Sequence, residues 1–198
     1  MKIRVDGPFG APAADVFGYK TIALVAAGIG ITPSASILDH LYHEYNQGRR
    51  QMRRVEVIWV CREVCMIAPF LDLLHRLEQR FRDNITNTSF MNVRIYLTQQ
   101  MDWEMSSYVQ LHSVGAARDP LTGLMQFLLI GRPNFSKVLE EIKLAVIQDN
   151  QVVAKYMAPA TDVGVFFCGQ SGVASVLRTA CQSASGNGIT FRFRKEQF

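Results

Sequence analysis

The run Thr21–Ala27 (TIALVAA) carries no charge and passes directly into Gly28-Ile29-Gly30-Ile31-Thr32-Pro33. A strand that is apolar at nearly every position has both faces covered, which a half-solvated antiparallel sheet does not provide. The run Thr21–Ile31 falls far short of the roughly 20 residues of a membrane span, and it contains Gly28 and Gly30. It therefore reads as a buried parallel strand ending in a tight turn. The signature recurs along the chain. Val55–Cys61 (VEVIWVC) is β-branched and aromatic, Val93–Leu97 (VRIYL) is shorter, and Phe127–Ile130 lies in a fourth run. Val163–Cys168 (VGVFFC) is a fifth and Ile189–Phe193 (ITFRF) a sixth.

Between these runs the apolar residues change to helical spacing. Ser34–Tyr45 aligns Ile37, Leu38, Leu41 and Tyr45, and Pro69–Phe81 aligns Phe70, Leu73, Leu74, Leu77 and Phe81. Phe135–Ile147 aligns Val138, Leu139, Ile142 and Val146, and Val173–Cys181 is a shorter fourth helix. Such alternation predicts βαβ units with right-handed crossovers. The expected fold is α/β: a doubly wound, mainly parallel sheet with helices on both faces. Gln99–Thr122 and Asp149–Thr161 fall outside the pattern and read as long loops or lids. Residues 1–18, with Gly7, Pro8, Gly10, Pro12 and Gly18, read as a connector leading into a domain at 19–198.

Composition narrows the function classes. Apolar residues make up 48% and mean hydropathy is +0.07, which rules out a disordered chain. The first seven residues have charges but no apolar segment of the kind a signal peptide needs. Lys and Arg outnumber Asp and Glu by 21 to 17. Much of the excess lies in Arg49-Arg50-Gln51-Met52-Arg53-Arg54, read as a solvated loop. No aromatic residue is interleaved there, so a nucleic-acid surface is not expected, and the charge suits a small polyanionic ligand as well. Cys61, Cys65, Cys168 and Cys181 form neither a CxxC pair nor a zinc spacing with the four histidines, which reads as reduced thiols and no metal. His40 and His43, three apart, read as surface residues.

The glycines after the first strand allow a tight turn and close approach to a ligand, and the helix start behind them suits a diphosphate. Pro33, in place of a third glycine, fits the first helical position, where no N–H is needed. Placed between strand and helix, this motif points to a nucleotide. At the carboxyl end of the second strand, Arg62 suits a ribose 2′-phosphate, while the adjacent Glu63 would suit an unphosphorylated ribose. Arg132 follows the fourth strand in the same manner. Cys168-Gly169 ends the fifth strand and reads from its surroundings as a buried cysteine before a turn. No Ser/His/Asp order or carboxylate pair marks a hydrolytic centre, so the chemistry is expected to be a cofactor's.

Together these pieces resemble the C-terminal dehydrogenase region of the NADPH oxidase family, within the wider ferredoxin–NADP reductase group. The resemblance runs from Val5-Asp6-Gly7-Pro8-Phe9-Gly10 through Ala27–Pro33, Trp59-Val60-Cys61-Arg62 and Ile95-Tyr96-Leu97-Thr98. It continues through Thr122-Gly123-Leu124, Gly131-Arg132-Pro133-Asn134 and Gly164–Gly169 to the closing Phe193–Phe198. It implies that Gly28, Gly30, Ile31, Thr32 and Pro33 border an NADPH diphosphate and that Arg62 and Arg132 face its 2′-phosphate. Cys61 and Gly169 are implied in the same cofactor site. Cys168 would stand by the nicotinamide and Phe198 would cover the flavin ring, which makes these two the implied catalytic pair. Asp119 falls in a loop placed near the cofactor and the regulatory surface. Gln170 departs from the family's usual proline, Pro69 from its usual tryptophan, and Asp149–Thr161 is longer than typical.

By the same resemblance, residues 1–10 look like the last strand of a flavin-binding barrel, preceded in the family by haem-bearing membrane helices. The implied function is the NADPH-binding lobe of a flavohaem oxidase at the cytosolic face of a membrane. Electrons would pass from NADPH through FAD and haem to oxygen, making superoxide or hydrogen peroxide. The implied partners are the flavin lobe and membrane domain of the same longer chain, with cytosolic regulators at 99–122 and 149–161. The fragment alone is expected to be inactive. The alternatives are the equivalent lobe of a ferric-chelate reductase, or a nucleotide-gated interaction module.

Overall fold

The computed structural model describes residues 12–47, 52–82, 90–154 and 156–196. The expected barrel strand at 1–10 and Phe198 lie outside them. The sheet has six strands: β1 (Thr21–Ala27), β2 (Arg54–Cys61), β3 (Met91–Leu97), β4 (Leu129–Ile130), β5 (Asp162–Cys168) and β6 (Thr190–Glu196). Their order is β4-β3-β2-β1-β5-β6, and every neighbouring pair is parallel. The chain steps outward from β1 to β4, then returns to lay β5 on the other side of β1. The winding therefore reverses between β1 and β5, where an open α/β sheet leaves a crevice beyond its carboxyl ends.

The helices are α1 (Ile31–Asn46), α2 (Leu71–Arg82), α3 (Trp103–Ser113), α4 (Phe135–Val153) and α5 (Ser171–Ala184). Side chains alternate across each strand, so β1 sends Ile22, Leu24 and Ala26 into one apolar cluster and Ala23 and Val25 into another. The first cluster takes Leu38, Leu41 and Tyr45 of α1 with Leu74, Leu77 and Phe81 of α2. The second takes Val138, Leu139, Ile142 and Val146 of α4 with Leu177 and Cys181 of α5. The doubly wound fold is as expected, with helices on both faces. Among the described residues no helix is long and apolar enough to cross a membrane.

Several expectations need correction. Gln99–Thr122 is not simply a loop: it contains α3, which buries no residue and so carries no apolar stripe to read. Its start is set by Asp102, whose Oδ1 accepts the Met105 N–H at 2.8 Å. The helix expected at Phe135–Ile147, α4, runs on to Val153, into the segment read as a loop. The fourth strand shrinks from Phe127–Ile130 to Leu129–Ile130, paired only with Tyr96 and Leu97. Side chains replace the missing ladder: the Val93 N–H donates to Gln126 Oε1 at 2.7 Å, and the Leu128 N–H donates to Asp119 Oδ2 at 3.0 Å.

Arg54 is not solvated, and Arg53 is half-buried. Arg53 donates to the Ala158 carbonyl at 2.7 Å. Arg54 opens β2 and is buried, with Asp149 at 2.7 Å and Glu56 at 3.1 Å. Glu56 also accepts from Arg94 at 2.7 Å, so one carboxylate, 1% exposed, ties β2 and β3 together under α4. Burial works to lower the Arg54 pKa, but the carboxylates of Asp149 and Glu56 outweigh it and hold the pKa above its usual value. Residues 12–18 form a 3₁₀ turn whose Val16 is fully buried in the first cluster.

Candidate functional site

Five parallel strands end at a cleft of about 750 Å³. Ala27 and Gly28 follow β1, Cys61 and Arg62 close β2, and Thr98 follows β3. Arg132 and Pro133 follow β4, and Gln170, which caps α5, with Gly172 and Val173 of its first turn stand beyond β5. Phe135, Met66 and Val176 complete an apolar lining. Of the residues singled out in the sequence, the fold brings Gly28, Cys61, Arg62 and Arg132 to this cleft.

The turn after β1 is built by geometry only glycine satisfies at two positions. Gly28 has φ of 60°, a left-handed conformation that side chains disfavour. Gly30 is buried, and a Cβ there would lie 2.3 Å from the Cys168 carbonyl oxygen. Its small size thus serves the contact between β1 and β5. The helix begins at Ile31, so Pro33 occupies the third helical position and not the first. That position is equally free of an intrahelical N–H bond. Ile31 is buried, and the Thr32 hydroxyl donates to the Ile29 carbonyl at 3.0 Å. Gly30, Ile31, Thr32 and Pro33 therefore support the turn and do not line the cleft.

Arg62 and Arg132 are exposed and engage in no ion pair among the described residues. Both guanidinium groups are free to meet an anion in the cleft. The backbone behind Arg62 is held where the ladder runs past the strands. The Thr98 N–H and Oγ1 donate to the Cys61 carbonyl at 2.9 and 3.2 Å, and the Gln99 N–H donates to the Arg62 carbonyl at 3.1 Å. Glu63 lines a separate recess with Cys65, Gln99 and Asp102, and its Oε2 accepts the Cys65 thiol at 3.4 Å. The two side chains that suited different riboses thus serve different pockets.

Burial pushes the Cys61 thiol up to about 11, and it raises Cys168 as well, with Glu196 adding to the effect. Cys65 is raised by its hydrogen bond to Glu63. None of these is an activated thiolate. Cys168 and Gly169 lie beside the cleft: Cys168 lines a small recess with Pro33, Ser34 and Glu196, and Gly169 packs on Ala27. Asp119 is buried in its own loop, where Oδ1 accepts from the backbone N–H groups of Leu121 and Thr122 and from the Thr122 hydroxyl. It does not line the cleft. Among the described residues no three potential ligand side chains gather around a metal position, and His40 and His43 face Glu44 and Asp39 on the exposed side of α1. Thr98, Phe135, Gly172 and Val173 also line the cleft: Thr98 stands directly past β3, and the others open the helices that follow β4 and β5.

The fold resembles that of a ferredoxin NADP+ reductase from Neisseria gonorrhoeae with bound FAD and NADP. The TM-score is 0.50 at 14% identity, over 94% of this chain and 61% of that one. In sequence the chain is 35% identical over 202 residues to mouse NADPH oxidase 1 and 33% identical over 202 residues to human NADPH oxidase 3. It is 32% identical over 197 residues to rat NADPH oxidase 4. Each alignment takes in 100% of this chain but only 32%, 33% and 30% of the respective relative, so the chain spans about a third of their length. The family model described as "Ferric reductase NAD binding domain" matches residues 19–182, covering every strand that contributes to the cleft. On that match the chain belongs to the ferric reductase NAD-binding domain family.

Proposed function

We propose that the cleft binds NADPH and that the chain is the hydride-donor lobe of a flavohaem NADPH oxidase. The observation that carries this reading is the pair Arg62 and Arg132, both exposed, unpaired among the described residues, and lining one cleft past β2 and β4. A guanidinium fork matches phosphate oxygens in two places, and two forks at one end of a cleft suit the 2′-phosphate. Gly28 and the first turn of α5 line the part of the cleft where the winding reverses, which suits the diphosphate. The cleft volume and its apolar walls accommodate a dinucleotide's ribose and rings. Bound NADPH supplies the hydride. The chain's residues supply position and charge, and burial raises the Cys61 and Cys168 thiols away from the thiolate form.

Toward the nicotinamide we assign Cys168 and Gly169 as neighbours of the ring and Phe198, outside the described residues, as the cover of the flavin. Residues 1–18 are assigned as the connector from a flavin-binding barrel and 19–198 as the NADPH domain. FAD, haem and delivery of electrons to oxygen belong to the longer protein, acting at the cytosolic face of a membrane. The similarity to three NADPH oxidases supports oxygen over a ferric chelate as the acceptor. Regulators are assigned to 99–122, where Trp103 and Leu111 are exposed, and to 149–161, where Tyr156 is exposed.

The test is a pair of titrations and one assay. The chain should bind NADPH more tightly than NADH, and equal affinities would overturn the phosphate reading. The full-length protein should consume oxygen on addition of NADPH, and reduction of ferric chelate without oxygen consumption would overturn the oxidase assignment.

A further inference from the structure

The turn at Gly28 is held by an indole from the neighbouring strand. Trp59 lies on β2 directly opposite Ala26, is 1% exposed, and its Nε1–H donates to the Gly28 carbonyl oxygen at 2.9 Å. The ring is itself braced edge-on by Phe70, with centroids 5.5 Å apart. Gly28 and Met66 both line the cleft, and the Met66 methyl stands 3.7 Å from where a Cβ on Gly28 would be. A residue with φ of 60° has an easy alternative conformation when it is glycine. One directed hydrogen bond therefore selects among backbone states of the cleft's own wall.

We propose that Trp59 is a positioning residue for the dinucleotide: its N–H fixes the Gly28 carbonyl inward and so sets the turn that the diphosphate crosses. The role rests on the NADPH reading above. Trp59 does not line the cleft; it lies beneath the turn, and its effect would reach a ligand through Gly28. The arginine end of the cleft is built from the ends of β2 and β4, where Thr98 and Gln99, and not this bond, hold the backbone behind Arg62. The two ends of the ligand should therefore respond differently when the bond is removed.

Trp59→Phe keeps an aromatic ring and removes the donor. A second variant places benzothienylalanine at position 59, which keeps the bicyclic shape and lacks the N–H, so a packing defect in the first is separated from loss of the bond. Each is titrated with NADPH and with adenosine 2′,5′-bisphosphate, which carries the phosphates of the adenosine end but no dinucleotide bridge. NADPH affinity should fall about tenfold, the scale of one hydrogen bond, with the bisphosphate changed by less than about twofold. Parallel losses for both ligands, or NADPH affinity unchanged in the benzothienyl variant, would overturn the role of Trp59 alone. A wild-type chain that binds the bisphosphate but not NADPH, or neither, would overturn the dinucleotide reading and the role together.

Discussion

Gly30 meets the backbone of Cys168 so closely that any side chain at position 30 would place its Cβ 2.3 Å from the carbonyl oxygen and 2.8 Å from the carbonyl carbon. The contact joins the turn after β1 to the end of β5, the two strands between which the winding reverses. Gly30→Ala should cost about 3 kcal/mol, near the upper end for overpacking, because a carbonyl in a sheet cannot swing aside as a side chain would. Urea unfolding of the variant checks this. A loss below about 1 kcal/mol would mean that the β1–β5 contact yields easily.

Glu56 is expected to be a larger stability determinant than a lone carboxylate in an apolar strand implies. It is 1% exposed and accepts from both Arg54 and Arg94. Glu56→Gln preserves the shape and leaves two buried or half-buried cations short of a partner, for a loss of about 3 kcal/mol. Combining it with Arg94→Met should recover part of that loss, since contacting partners are not additive. Strict additivity in denaturant titrations would contradict the pairing.

Cofactor preference should reside in the two cleft arginines. NADPH and NADH differ only by the 2′-phosphate, so Arg62→Ala and Arg132→Ala should each weaken NADPH while leaving NADH nearly unchanged. Bonds to a charged group, reduced for solvent exposure, put the pair at about 2–3 kcal/mol, on the order of 30- to 150-fold in affinity. The preference should shrink at high salt. Equal losses for both nucleotides would place the arginines on the diphosphate or in the fold.

The four thiols should separate by burial. Cys65 is exposed, while Cys61, Cys168 and Cys181 are buried. A neutral thiol reagent at pH 8 should modify one cysteine in the native chain and four in denaturant. Cys61 is pushed up to about 11 and Cys181 to about 12 by burial, against roughly 8.5 for a free thiol. Below about pH 8.5 both folded and unfolded chains keep these protons, and the contribution to stability is fully present. As pH rises toward 11–12 the unfolded chain binds fewer protons than the folded one, so stability falls across that window. Cys181→Ala should flatten the decline; an unchanged slope would show that the thiol is not the cause.

Much of the architecture was legible because period and burial coincide. Thr21–Ala27 reads as a strand covered on both faces, and it feeds both clusters. Ile37, Leu38, Leu41 and Tyr45 lie at helical spacing and are all buried. Where burial is absent the pattern is silent. α3 has no buried residue, and only its Asp102 cap betrays it. Arg54 is a case of the opposite kind, since a cation in a basic run gives no sign that Asp149 and Glu56 will meet it.

The strand–helix alternation, the glycine turn after β1 and a cation past two strand ends are already written in the residue order. Those properties are local: hydrophobic period, backbone freedom and residue type suffice for them. Folding is what turns Arg62 to the cleft and Glu63 to Cys65, and what makes Gly30 yield room to Cys168 rather than line the cleft. It also decided that the indole of Trp59 holds Gly28. These relations join residues that are adjacent, or far apart, in the chain according to strand order and the direction each side chain leaves its strand, and a linear pattern carries neither.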